Sequence, residues 1–355
     1  MKRRTFLCVG IWFMLSLPVA SVAQSTDPLV PTSRVEDARV GPLAMVTIIS
    51  DNPVATKRFY QGAMDMAAKD YELRGQSALA MANQLGLTPR SRLLFSMFTR
   101  PGLPQATKVR VVYVDSGTDQ ARPNHNSEYL GPLSLGFPVR AIEARAAMLS
   151  AFGNPATAGV TTLNLSRSDG SPYAVKEAHF KGPDGVLSLA IDRGDMQAVG
   201  AIDPAFDIGG PAYSGMIVSD TKAMDGFLAD VMGFEKRRDV ELASSGPNGG
   251  LGLPSGTRFQ FQQWFAPGSA TGYFVVMRYL NAGKIRPITL VGRSRGIIRY
   301  SFHTNRLNEV VSSARRANYA MAFTSRKAYP EDIKARSAVV LKGPDGIEFE
   351  FLQGQ

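Results

Sequence analysis

The sequence predicts an α+β protein built from four copies of one strand, helix, three-strand (βαβββ) module, paired two and two along the chain. Three observations predict it. Strand openings recur as Gly41-Pro42-Leu43-Ala44, Gly131-Pro132-Leu133-Ser134, Gly210-Pro211-Ala212-Tyr213 and, without the proline, Gly296-Ile297-Ile298-Arg299, at intervals of 90, 79 and 86 residues. Gly-Pro-Asp-Gly tetrapeptides at 182–185 and 343–346 stand 161 residues apart, close to the 169 between the first and third openings. Each opening leads into a run of strand character and then into apolar residues at helical spacing. Repetition at a fixed interval marks stacked or paired copies of one unit.

Residues 1–23 read as a secretory leader. Lys2-Arg3-Arg4 is followed by an apolar run from Phe6 to Leu17 and by the small-residue site Ser21-Val22-Ala23, with cleavage expected after Ala23. Arg3-Arg4-Thr5-Phe6-Leu7 is similar to the twin-arginine export motif, although Lys2 stands where Ser or Thr is usual. Export by either the Sec or the twin-arginine route places the mature chain in the periplasm or outside the cell. The apolar run is shorter than a span of roughly 20 residues. Residues 24–40, rich in Ser, Thr, Pro and Asp without periodicity, are expected to form a flexible tether.

The amino-terminal domain is expected over 41–192. Met45-Val46-Thr47-Ile48-Ile49 is a β-branched strand closed by Asp51-Asn52-Pro53, and either Asp51 or Asn52 caps a helix whose stripe is Val54, Phe59, Tyr60 and Met64. Strands follow over Arg92–Phe98 and Val109–Val114. The second module runs from Leu133 through an alanine-rich helix, Ala141–Phe152, to the strands flanking Gly182-Pro183-Asp184-Gly185. That tetrapeptide is turn chemistry, with proline fixing φ and glycine accepting positive φ. Residues 193–209 read as an interdomain linker.

The carboxy-terminal domain is expected over 210–355. Met216-Ile217-Val218 ends at Asp220, a helix cap, and Met224, Phe227, Leu228 and Val231 fall at helical spacing before Met232-Gly233-Phe234-Glu235. The fourth module has a strand at Ile297–Phe302, a helix at about Leu307–Ala317 and a last strand at Ile347–Leu352.

Composition narrows the chemistry. Cys8 is the only cysteine and leaves with the leader, so the mature chain has no disulfide, cysteine nucleophile or thiolate metal ligand. Loss of Lys2, Arg3 and Arg4 lowers the net charge from +10 to +7. Basic residues are not run together with aromatics, so nucleic acid is not an expected partner. No membrane contact is expected after cleavage. There is no Gly-x-Ser-x-Gly elbow, His-Glu-x-x-His, phosphate loop or dinucleotide fingerprint after a strand.

The third module from Asp220 to Phe234, Phe59-Tyr60, Phe302 and the closing Gly343-Pro344-Asp345-Gly346-Ile347-Glu348-Phe349-Glu350 resemble the vicinal oxygen chelate superfamily. This superfamily includes glyoxalase I, the bleomycin-resistance proteins and extradiol dioxygenases. The resemblance covers roughly residues 41–353 and implies two glyoxalase-like domains, each a pair of modules whose sheets enclose a cleft. In four-module members it implies a metal held by two histidines from the first strands of modules three and four and a glutamate from the last strand. Those positions fall on Tyr213, Arg299 and Glu350, and in the amino-terminal half on Ala44, Ser134 and Leu189. Only the glutamate agrees. A guanidinium has no lone pair to donate, so no catalytic metal and no cofactor is expected.

If the fold brings Arg299 and Glu350 across one cleft, the guanidinium stands about where the cation would be and can hold a carboxylate or enolate bidentately. Glu350 is then the candidate base and Tyr213 the hydrogen-bond donor or acid. Strand alternation puts Ser301 and His303 on the face of Arg299, and Glu348 on the face of Glu350. The bland alternative is a structural ion pair between Arg299 and Glu350, which carries no catalytic meaning. Of the other histidines, His179 precedes the Gly182-Pro183-Asp184-Gly185 hairpin, from where it can point into the amino-terminal cleft, and His125 sits in a loop.

The expected function is a metal-independent lyase or isomerase acting on a small anionic or aromatic compound. Its catalytic residues are Glu350, Tyr213 and His303, and its substrate-binding residues are Arg299, Ser301 and Glu348. A non-catalytic protein that sequesters a small organic ligand, in the manner of bleomycin-resistance proteins, is the alternative. A metal-dependent dioxygenase or glyoxalase with ligands shifted to Glu350, His303 and Glu348 is the third.

Overall fold

A computed structural model describes residues 27–115, 118–166, 171–244, 246, 250–281, 286, 294–324 and 337–354. The leader expected at 1–23 lies outside the described residues.

Four βαβββ modules follow one another. The first has β1 (Leu43–Ser50), α1 (Pro53–Lys57) continuing into a π-helical turn, β2 (Ala67–Arg74), an inserted α2 (Gly75–Gln84), β3 (Arg92–Thr99) and β4 (Lys108–Tyr113). The second has β5 (Gly131–Pro138), α3 (Ile142–Ala151), β6 (Ala156–Ser166), β7 (Pro172–Lys181) and β8 (Leu187–Asp192). The third comprises β9 (Tyr213–Ile217), α4 (Thr221–Gly226), β10 (Glu235–Ala243), β11 (Arg258–Phe265) and β12 (Tyr273–Tyr279). The fourth comprises β13 (Gly296–Thr304), α5 (Leu307–Arg316), β14 (Ala320–Thr324), β15 (Ser337–Lys342) and β16 (Glu348–Gln353). Local chemistry sets the ends: Asn52 and Asp220 accept from Ala55 and Lys222 N–H and cap α1 and α4. In both Pro-Asp-Gly turns the aspartate is left-handed as well as the glycine, at φ 60° for Asp184 and 55° for Asp345.

The modules do not pair in sequence order. One eight-stranded sheet runs β14-β15-β16-β13-β1-β4-β3-β2 and the other β10-β11-β12-β9-β5-β8-β7-β6. The first is therefore modules one and four, joined by antiparallel β1 and β13, and the second is modules two and three, joined by antiparallel β5 and β9. The expectation that 41–192 and 210–355 each close their own sheet is corrected. The physical reason is the shared core: the module helices and one face of both sheets pack into a single cluster. It joins Phe59 and Tyr60 of module one, Phe137 and Phe180 of module two, Phe227 and Phe274 of module three, and Tyr300 and Phe349 of module four. Burial of that area favours whichever pairing closes one core rather than two small ones.

The other face of each sheet has its own apolar cluster, and the two differ. In the sheet of modules one and four it is filled by α2, whose Ala78, Met81 and Ala82 pack on Met45, Phe95 and Ile298. In the sheet of modules two and three no helix among the described residues contributes to it.

Two connecting segments are also ordered. The expected tether is docked from Asp27 onward: Leu29 is buried in the second sheet's cluster, Asp27 pairs with Arg193 at 2.8 Å, and Arg39 donates to the carbonyls of Asp230 and Val231. The linker at 193–209 is held on the end of β5, with Gly209 N–H donating to Pro138 O at 2.8 Å.

Candidate functional site

The sheet of modules one and four brings together four of the six expected site residues. The fold buries Arg299, Ser301 and Glu350 and leaves Glu348 partly exposed. Parallel pairing sets Arg299 beside Glu348 and Ser301 beside Glu350. Arg299 donates to Glu348 Oε2 through Nε at 2.9 Å and Nη2 at 2.5 Å, and its Nη1 lies 3.4 Å from Glu350 Oε1. Ser301 Oγ donates to Glu350 Oε2 at 2.6 Å. Module one completes the cluster: Arg110 of β4 reaches Glu350 Oε2 at 3.6 Å and donates to Thr47 Oγ1, while Gln84 at the end of α2 donates to Glu350 Oε1 at 2.7 Å. Arg299 Nη2 in turn donates to Gln84 O at 2.8 Å.

Two guanidiniums and two carboxylates therefore balance beneath α2. The Glu350 side chain has no solvent exposure and those of Arg110 and Arg299 have 1 %. A charge buried so deeply is tolerated because it is paired with opposite charge and hydrogen-bonded. Arg299 and Glu350 are thus paired with each other, and the Glu350 carboxylate has no surface open to solvent.

The remaining two expected residues lie elsewhere. His303 is exposed near the end of β13, opposite Leu352. Tyr213 belongs to the other sheet, so it cannot stand across a cleft from Arg299. The register within module one also shifts by one: β1 pairs Thr47 with Arg299 and Met45 with Ser301, while β5 and β9 pair Gly136 with Tyr213 and Ser134 with Gly215. The position matching Ser134 is thus Met45 rather than Ala44.

A divalent cation of the kind the family resemblance implies does not fit either sheet. The cluster beneath α2 offers one central carboxylate flanked by two guanidiniums, and the matching place in the second sheet offers Ser134, Tyr213, Leu189 and Val275. Neither is a set of imidazole and carboxylate donors. Among the described residues no three His, Cys, Asp or Glu side chains form a metal-holding group.

The second sheet carries an open cleft of 630 Å³ on its uncovered face. Alternation builds it: Tyr173, Val175, Glu177 and His179 of β7 face inward, as do Phe259, Phe261 and Gln263 of β11. At the centre the Tyr213 ring lies on Gly136, where any Cβ would meet it at 2.0 Å, so only glycine leaves room. Tyr213 stacks on Tyr273 with centroids 5.0 Å apart, and Tyr273 on Phe265 at 4.3 Å. Burial, then the neighbouring Tyr273 and Glu177, push the Tyr213 hydroxyl well above its ordinary pKa, so it remains a neutral donor. His179 Nε2 lies 3.5 Å from Glu177 Oε2, its Nδ1 is buried without a partner, and the backbone of Gly250 covers its ring. Gln263 Oε1 is likewise buried and unpartnered. Arg238 of β10 lines the wall with its guanidinium 5.7 Å from the Phe261 ring centroid. A second hollow of 180 Å³ near Gly102 and Pro211 has no titratable lining residue.

Sequence reasoning missed Glu177, Arg238, Gln263 and Tyr273, and left His179 as a residue able to face the amino-terminal half. The signal was present in two strands. Tyr173-x-Val175-x-Glu177-x-His179 and Phe259-x-Phe261-x-Gln263 each alternate apolar side chains and then place polar ones on the same face.

Neither a protein-family model nor a curated protein matches the sequence. Among solved structures, glyoxalase I from Zea mays is similar over 90 % of this chain and 94 % of its own, at 11 % identity and a TM-score of 0.59. A putative dioxygenase from Bacillus subtilis is similar over 89 % of this chain and 86 % of its own, at 14 % identity and a TM-score of 0.53. These likenesses establish the fold.

Proposed function

We propose, from the premise that this chain has the vicinal oxygen chelate fold of four modules, that it binds a small organic molecule in the cleft of modules two and three. One observation carries the reading: the charged cluster of modules one and four is sealed under α2, whereas the other sheet opens a 630 Å³ cleft floored by stacked aromatic rings. That volume lies within the roughly 300–1,000 Å³ of small-molecule sites, and the lining has their usual make-up of apolar walls with a few polar groups. Sequestration of a ring-bearing compound is the function this geometry supports best. Export under the leader at 1–23 remains part of the proposal, and the docked segment that starts at Asp27 forms one wall of the cleft.

A second reading, turnover of lyase or isomerase type, is supported by His179 beside Glu177. An imidazole with a carboxylate neighbour and an unpartnered Nδ1 is the arrangement a proton transfer uses. It relocates the chemistry from Arg299 and Glu350 to the second sheet.

The test is binding of 2-naphthol, followed by its own fluorescence, to mature protein and two variants. Val275→Phe fills the floor of the cleft and is expected to weaken binding at least tenfold. Gln84→Ala disturbs only the sealed cluster and should leave affinity within twofold. The opposite pattern sinks the reading. Recovery of the ligand unchanged after incubation, or of an isomer or cleavage product, separates sequestration from turnover.

A further inference from the structure

Two charged side chains on opposite walls of the cleft remain without an opposite charge of fixed sign. Glu177 on β7 has no lysine or arginine partner among the described residues; its one ion-pair neighbour is His179. Arg238 on β10 is half-buried over Phe261 and has no carboxylate or hydrogen-bond acceptor among the described residues. The other arginine at the cleft, Arg193, is already taken by Asp27 at 2.8 Å and by Gln197 O at 2.6 Å.

The topology keeps the two charges from meeting. Five strands, β8, β5, β9, β12 and β11, lie between β7 and β10 in the sheet. Both charges nevertheless bear on the central Tyr273. Its hydroxyl pKa is raised first by burial, then lowered by Arg193, raised by Glu177, and lowered by hydrogen bonding with Gln263 and by Arg238. Beside Arg238 in register stands Gln263, whose amide oxygen is buried without a donor. Removing a charge from water toward aromatic walls is unfavourable unless a partner arrives, and here each wall supplies one half of a pair with an apolar floor between.

We propose that the cleft takes a two-ended aromatic acid, its anion held by Arg238 and its opposite end donating a hydrogen bond to Glu177 beside His179. The inference rests on the reading of this cleft as the binding site and names the ligand class. A guanidinium holds a carboxylate through two parallel N–H bonds, and a carboxylate accepts strongly from a phenol or ammonium. The flat middle of the ligand stacks on Tyr213 and Tyr273 in an offset or edge-on geometry. The preference is for both ends at once, since a one-ended compound leaves one wall charge desolvated and unpaired.

Three rigid probes of one ring system test it on the full mature chain: 6-hydroxy-2-naphthoate, 2-naphthoate and 2-naphthol. The two-ended acid is expected to bind at least tenfold more tightly than either one-ended compound. Arg238→Met should remove at least tenfold from both acids and leave 2-naphthol within twofold. Glu177→Gln should weaken the two hydroxylated probes severalfold and spare 2-naphthoate. Equal affinities of all three for the wild type, or an Arg238→Met loss that falls equally on 2-naphthol, overturn the ligand class while the cleft reading stands. Absence of binding by any of the three overturns both.

Discussion

Glu350 shows how one residue's role is decided by what surrounds it. Its oxygens receive Ser301, Gln84 and Arg299, with Arg110 3.6 Å away, and its side chain is wholly buried. Its work is to balance two guanidiniums inside the protein. Glu350→Gln removes the carboxylate that Arg299 and Arg110 share, so the variant is expected to lose about 3 kcal/mol of stability, the usual cost of breaking a buried pair from one side. Denaturant unfolding measures the loss, and an unfolding midpoint equal to that of the wild type would overturn this role. The sequence did identify Arg299, Ser301, Glu348 and Glu350 as one constellation, because strand alternation and module register are local properties. It did not show Arg110, Thr47 and Gln84, which arrive from module one.

At the scale of elements, the first Pro-Asp-Gly turn has a thermodynamic signature. Asp184 is buried beside Arg295 and Asp51; burial first, and then Asp51, raise its pKa to about 6 against the opposing pull of a hydrogen bond with Ser50 and of Arg295. The folded state therefore holds the proton more tightly than the unfolded chain. Stability contributed by the protonated form is present below the unfolded value near 3.8 and is lost as pH rises toward 6. Asp184→Asn keeps a residue tolerant of the left-handed turn and is expected to gain about 1–3 kcal/mol at pH 7 and nothing near pH 4. Thermal unfolding across that range is the check, and a flat difference between wild type and variant would sink it. The turns and the four module helices were legible, since caps, proline and apolar spacing are written in a few adjacent residues. The inserted α2 was not read, although Ala78, Met81, Ala82 and Leu85 have helical spacing. It breaks the module pattern, and nothing local announces that it fills a cleft.

At the scale of the molecule, each sheet draws one module from either half of the chain, and the back faces share one core. Neither half can complete its sheets alone. Residues 27–200 and 201–355, expressed separately, are expected to aggregate or remain unfolded, and co-expressed they should copurify as one complex. A half that unfolds cooperatively as a monomer would refute the crossed pairing.

The sequence by itself determined the α+β class and the hairpins, which rest on periodicity and turn chemistry within about ten residues, and the four-module count, which rests on strand openings that recur every 79 to 90 residues. Only the tertiary structure decided that module one pairs with four and two with three, that α2 buries Arg299 and Glu350, and that Tyr213 belongs with Tyr273, Glu177 and Gln263. Those outcomes depend on which surfaces close the larger core. Four near-equivalent modules present similar edge strands, so no local signal distinguishes consecutive pairing from crossed pairing.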